Sequence, residues 1–209
     1  MLIPAGDVEL EAVLWEPEGT VPRGAALLCH PHPLHGGTMN NRVIYRAAKG
    51  AVEAGLAALR FNFRGVGAST GSHDKGHAER TDTGSLLDWL QGRYPQLPLA
   101  LIGFSFGAWI GLKAGQRDPR VKALVGLGLP ISAYDFGFLL DNDIPSLFII
   151  GTRDEFCPDQ EMRLLAARLP PTSSVRWLEG ADHFFTRQID QVQALVRNFL
   201  RPRFEGSPT

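Results

Sequence analysis

Leu97-Pro98-Leu99-Ala100-Leu101-Ile102-Gly103-Phe104-Ser105-Phe106-Gly107-Ala108-Trp109-Ile110-Gly111-Leu112-Lys113-Ala114 decides how this chain is read. Residues 97–102 are a short apolar run with the pattern of a buried strand, and residues 108–114 read as a helix. Between them stands the pattern G-x-S-x-G. A serine on a sharp strand-to-helix turn is held in a tight backbone conformation that lifts its hydroxyl clear of the sheet, where it can attack a carbonyl. The flanking Gly103 and Gly107 suit such a turn, because side chains there would collide with the adjoining strand and helix. Five residues make a loose pattern, so the chemistry rests on two further conditions. The turn must sit in a strand–helix alternation, and a carboxylate and a histidine must follow it after later strands.

The alternation is present. Residues 8–15 alternate partially, as an early antiparallel strand does, and residues 25–29 are continuously apolar, as in a strand buried on both faces. A loop from His30 to Thr38 precedes a helix marked by Val43, Ile44, Ala47, Ala48, Ala51 and Val52 and ended by Gly55. Residues 56–63 read as a strand, 79–93 as a helix, 121–127 and 146–150 as two more buried strands, and 158–169 as a helix with proline in its first turn. A last strand at 174–178 and a helix from about 187 follow. The reading is a mostly parallel sheet with helices on both faces in one domain spanning 1–209, with a flexible tail at 201–209. The only sizeable irregular insert, 128–145, is short for a lid.

Composition narrows the function classes. Of 209 residues 44% are hydrophobic and 21% charged, the balance of an ordinary soluble globule long enough for a full core. A net charge of -1 gives no electrostatic reason to bind nucleic acid or an anionic membrane. Cys29 and Cys157 form no disulfide framework, and residues 1–7 lack a basic segment followed by an apolar one. A cytoplasmic protein is expected.

Loops at the carboxyl ends of parallel strands converge on one edge of such a sheet. Ser105, Asp154 and His183 each lie at or just past a strand end, in the order Ser, Asp, His. A serine hydroxyl is a weak nucleophile at neutral pH. His183 would accept its proton and return it to the leaving group, and Asp154 would fix the imidazole tautomer. Glu155 and Asp159 are rivals of Asp154. Asp182 is rejected because it adjoins His183, and adjacent side chains diverge. Two backbone N–H donors would stabilise the tetrahedral oxyanion: that of Phe106, and one from the loop after residues 25–29. Pro31 and Pro33 have no N–H, which leaves His32, with Leu34 behind it. Leu34, Phe104, Phe106, Trp109 and residues of the 128–145 insert are expected around the substrate.

Other patterns carry less. His30, His32 and His35 have the H-x-H-x-x-H spacing of two-metal hydrolases, but Leu34 stands where those enzymes place an acid, so no metal and no cofactor is expected and His30 is read as structural. Ser72-His73-Asp74 is a polar turn rather than a triad. Gly65-Val66-Gly67 lacks the remainder of a nucleotide-binding motif, and Cys157 is incidental beside Ser105.

With these residues placed, the chain resembles the α/β-hydrolase superfamily, and within it the small, lidless bacterial hydrolases related to dienelactone hydrolases. The likeness rests on His30-Pro31-His32-Pro33-Leu34-His35-Gly36-Gly37-Thr38-Met39-Asn40, on Arg60-Phe61-Asn62-Phe63-Arg64-Gly65-Val66-Gly67 and on the Gly103–Gly107 nucleophile elbow. It implies about eight strands with an antiparallel second strand, a minimal cap and a Ser105–Asp154–His183 triad. Dienelactone hydrolases proper carry cysteine in the elbow, so their substrate does not transfer to a chain with Ser105. The expected activity is cleavage of small or medium carboxylic esters, a small-molecule substrate, through an acyl-enzyme. A thioesterase or peptidase using the same triad, and a non-catalytic binding protein on this fold, are the alternatives.

Overall fold

The computed structural model describes residues 1–206. Its centre is one eight-stranded sheet in the order β1-β2-β4-β3-β5-β6-β7-β8. The strands are β1 (Leu2–Ala5), β2 (Val8–Trp15), β3 (Gly24–Cys29), β4 (Leu56–Phe61), β5 (Leu99–Phe104), β6 (Val121–Leu127), β7 (Ser146–Gly151) and β8 (Ser173–Leu178). β2 runs antiparallel to both β1 and β4, and the remaining pairs are parallel. This is the α/β-hydrolase fold.

The central strands are continuously apolar because both faces are covered. β3, β4, β5 and β7 are buried along their whole length. The pleat divides their side chains between two layers. Ala25, Leu27 and Cys29 pack with Leu86, Leu87 and Leu90 of α2 (His77–Arg93) and with Phe106 and Leu112 of α3 (Phe106–Gly115). Ala26 and Leu28 face Val43, Ile44 and Ala47 of α1 (Arg42–Glu53) and Val192, Val196 and Leu200 of α5 (Ile189–Phe204). Each fully buried Leu or Phe contributes about 1.5–3 kcal/mol, so these two layers hold the sheet and leave the loops at its carboxyl edge free to carry chemistry. The remaining helix, α4 (Asp159–Ala166), follows β7 and begins directly after Pro158.

Two differences from the sequence reading have physical causes. β1 escapes the pattern because it is four residues long and contains Pro4, which an edge strand tolerates. The expected flexible tail over 201–209 is helical at its start: α5 continues through Pro202 to Phe204. Phe204 is fully buried, and it lies so close to Gly24 that a Cβ there would stand 2.4 Å from its ring. Arg201 adds a hydrogen bond to the carbonyl of Glu53 at 2.8 Å. Residues 207–209 of that expected tail lie outside the described residues. No helix among the described residues is long and apolar enough to cross a membrane.

α1 and α5 approach at Gly50, where an added Cβ would stand 2.5 Å from the carbonyl oxygen of Gln193. Alanine is the better helix former by about 1 kcal/mol, so propensity alone favours Gly50→Ala. The clash is with backbone and outweighs it: the variant should lose about 1–3 kcal/mol in urea denaturation. A stabilised Gly50→Ala protein would show that the two helices are not packed this closely.

Candidate active site

β5 ends at Phe104 and α3 begins at Phe106, so Ser105 is the entire turn. Its backbone has φ 56 and ψ -123, a region that L-residues avoid at a cost of about 1–3 kcal/mol. The surroundings enforce it. The Ser105 N–H donates to Leu127 O at 3.0 Å, and the Ser105 carbonyl accepts from the N–H of Ala108 at 2.9 Å. A Cβ at Gly103 would meet Gly107 O at 2.4 Å, and one at Gly107 would meet Cys29 O at 2.2 Å. Glycine at both positions is therefore a requirement of backbone approach.

Asp154 and His183 reach Ser105 from the loops after β7 and β8. Those loops touch through backbone: the Arg153 N–H donates to Ala181 O at 2.9 Å, and a Cβ on Gly151 would meet the same oxygen at 2.4 Å. The His183 Nδ1–H donates to Asp154 Oδ2 at 2.8 Å, which leaves Nε2 to accept from the Ser105 hydroxyl at 3.0 Å. The other carboxylate oxygen of Asp154 accepts the Phe156 N–H at 2.9 Å. Asp154 and His183 are buried, with the imidazole on the Phe104 ring at 5.0 Å between centroids. The rival acids are elsewhere. Glu155 is exposed, and Asp159 pairs with Arg163 at 2.8 Å. Asp182 accepts the Thr186 N–H at 2.9 Å, a bond that holds its carboxyl below the usual range.

The loop after β3 is fixed from beneath. His30 is fully buried; its Nδ1–H donates to Pro31 O at 2.6 Å and its Nε2 accepts the Phe63 N–H at 2.9 Å. Both ring nitrogens are used on backbone, so His30 is not available as a metal ligand. Farther along, Asn62 Oδ1 accepts the Met39 N–H at 2.8 Å and Arg60 donates to Met39 O at 2.9 Å. Arg64 forms a two-pronged pair with buried Asp82 at 2.7 and 2.8 Å, tying the following turn to α2. These contacts explain the residue types in Arg60-Phe61-Asn62-Phe63-Arg64.

His32 begins a 3₁₀ turn, Pro33–His35, and its Nδ1 accepts the Leu34 N–H at 3.2 Å. That bond occupies the alternative oxyanion donor and leaves the backbone N–H of His32 as the better candidate. The other candidate, the Phe106 N–H, opens α3 and has no acceptor within its helix. The His32 ring stacks on His35 at 4.4 Å and lies 5.0 Å from His73, which contacts buried Glu79 at 2.6 Å. Burial and then the two neighbouring imidazoles hold His32 below its ordinary pKa.

Ser105 and His183 open into a cleft of about 300 Å³. The loop after β3 contributes His32, His35 and Gly37; the insert after β6 contributes Pro130, Ala133 and Tyr134; and Phe156 and Phe184 stand beside His183. Of the four side chains expected around the substrate, Phe106 lines the cleft and the other three lie outside it. Leu34 is turned to solvent with 70% of its surface exposed, because the 3₁₀ turn points it outward. Phe104 is fully buried under His183, and Trp109 stacks behind Tyr134 at 4.6 Å. The expectation that the 128–145 insert borders the site holds at Pro130, Ala133 and Tyr134. Cys157 is buried, and burial together with Asp154 and nearby acids raises its thiol pKa, the reverse of an activated nucleophile.

The fold and this constellation define the class, an α/β hydrolase of the serine type. The chain matches the alpha/beta hydrolase domain model over residues 25–198, and it belongs to that family. An uncharacterized protein of Rickettsia prowazekii is 39% identical over 184 residues, covering 84% of this chain and 77% of that one. An alpha-beta serine hydrolase homologue from Coxiella burnetii superposes with a TM-score of 0.90 at 35% identity over 96% of each chain. A serine hydrolase without a lid from Xanthomonas campestris superposes at 0.86 with 30% identity, over 100% of this chain and 96% of the other.

Burial lowers the His30 pKa from 6.5 to about 4. Between those values the unfolded chain binds more protons than the folded one, so stability rises with pH across the window and falls on acidification. The difference corresponds to about 3 kcal/mol when fully developed. Urea denaturation from pH 7 to pH 4 should show this loss, and His30→Gln should flatten the slope in that window. An unchanged slope in the variant would mean that His30 is not the group responsible.

Proposed function

We propose that this protein is a carboxylesterase acting through an acyl-enzyme on Ser105. The single observation carrying the reading is the unbroken relay from Asp154 to His183 to the Ser105 hydroxyl, at 2.8 and 3.0 Å, facing an open cleft. His183 Nε2 takes the serine proton as Oγ attacks the ester carbonyl carbon. The backbone N–H groups of Phe106 and His32 receive the oxyanion. Collapse of the tetrahedral intermediate breaks the bond to the alcohol oxygen, which leaves with the proton from His183. A water molecule, deprotonated by the same nitrogen, then releases the acid.

The substrate is a small neutral ester. The cleft lining contains no lysine, arginine, aspartate or glutamate, so it has no partner for a charged acyl chain. Its volume of about 300 Å³ and the short insert above it suit small or medium acyl groups. Cys29 and Cys157, both free and buried, accord with a reducing cytoplasm. Nucleic acid and membranes have no place in this reading.

A fluorophosphonate probe should label the protein at Ser105, and Ser105→Ala should abolish labelling and lower ester turnover by several orders of magnitude. A protein that stays unlabelled would be a binding protein on a hydrolase fold. Across a series sharing one alcohol, acetate and butyrate esters should be hydrolysed with higher kcat/KM than esters of long-chain acids. Faster turnover of thioesters or aminoacyl amides than of every matched oxygen ester would replace the esterase reading by one of those activities.

A further inference from the structure

We infer that Phe156 and Phe184 form the subsite for the leaving alcohol and make the enzyme select esters of apolar, aromatic alcohols. This rests on the esterase reading and extends it to the half of the substrate that departs.

Chemistry assigns the side of the cleft. The nitrogen that receives the serine proton must deliver it to the departing oxygen, so the alcohol passes along the cleft-lining Nε2 side of His183. Two phenyl rings flank that side. Phe156 meets the imidazole edge-on at 4.7 Å between centroids, and Phe184 does so at 5.3 Å and 83°. The acyl part then extends the other way, toward Tyr134, which lies 5.9 Å from Phe106 beside the oxyanion donors.

Phe156 is held out in solvent through Asp154, and Phe184 by the turn that follows His183. Phe156 is 43% exposed and Phe184 is 50% exposed, although burial of an apolar ring is favourable. The Phe156 N–H is fixed by Asp154 Oδ1, and its carbonyl accepts the Ser132 hydroxyl at 3.0 Å. Phe184 sits in a turn closed by Phe185 N–H to Asp182 O at 3.1 Å and by Thr186 N–H to Asp182 Oδ1, with Phe185 at φ 53. Neither backbone is free to fold its ring inward. The fixed phenyl faces present a preformed apolar slot at the point where the alcohol must lie, and an aromatic alcohol would cover both.

The test compares benzyl and ethyl esters of acetic acid, so that both substrates form the same acetyl-enzyme and kcat/KM reports acylation alone. Benzyl acetate should exceed ethyl acetate by about tenfold or more. In Phe156→Ala and Phe184→Ala the benzyl-to-ethyl ratio should fall toward one, while Phe184→Leu keeps part of it. The acetate-to-butyrate ratio for ethyl esters should stay within about twofold of the parent in each variant. Fluorophosphonate labelling of each variant confirms an assembled triad. A labelled, active enzyme with no benzyl preference, or variants that change acyl-chain selectivity instead of alcohol selectivity, would overturn the assignment and leave the esterase reading standing. A parent protein that neither labels nor hydrolyses any ester would overturn both.

Discussion

The site depends on one unfavourable backbone conformation. Ser105 stands at positive φ because the chain must leave β5 and enter α3 with only this residue between them. Every close approach around it serves that turn: Gly107 against the backbone of Cys29, Gly103 against Gly107, and the Ser105 amide bonded to Leu127 on the neighbouring strand. The strain is local and the support is spread over three adjacent strands, so the two apolar layers of the sheet sustain it. A hydroxyl raised in this way is presented to the cleft before any substrate arrives, and the amide of Phe106 is aimed by the same turn.

The other parts of the site are likewise fixed by backbone contacts more than by their own packing. His183 and Asp154 meet because the loops after β7 and β8 are joined through Arg153 and Ala181, where only glycine fits at position 151. The loop carrying His32 rests on a fully buried histidine whose two ring nitrogens replace lost backbone partners. Arg60 and Asn62 secure its far end at Met39. The geometry of the site is therefore a property of strand ends and their polar fastenings, which accounts for polar residues in otherwise apolar surroundings.

Much of this was legible in the sequence, for specific reasons. Continuous apolar runs identify β3, β5, β6 and β7 because both their faces are buried, and residues placed just beyond such runs must gather at one edge. Ser105, Asp154 and His183 are singled out by that logic together with the G-x-S-x-G pattern and the Ser, Asp, His order. The cleft walls are not, because they depend on which way a side chain turns. Leu34 faces solvent because the His32 ring captures its amide and tightens the chain into a 3₁₀ turn. Phe104 alternates to the face beneath the histidine, and Trp109 lies one helical turn beyond the opening. Phe156 and Phe184 adjoin triad residues in sequence, yet nothing in the pattern says they point outward. That is set by a hydrogen bond to Asp154 and by the strained Phe185.

The order of the three reactive residues along the chain has a consequence for biosynthesis. The imidazole hydrogen-bonded to the Ser105 hydroxyl is translated 78 residues after it, on the loop beyond β8, followed by the helix that closes one face of the sheet. A ribosome-bound chain can thus have β3 and β5 already paired while the Ser105 hydroxyl still lacks its imidazole partner. The Asp154–His183–Ser105 hydrogen-bond chain can close only when β7 and β8 have docked, so the geometry of the site is completed late in folding.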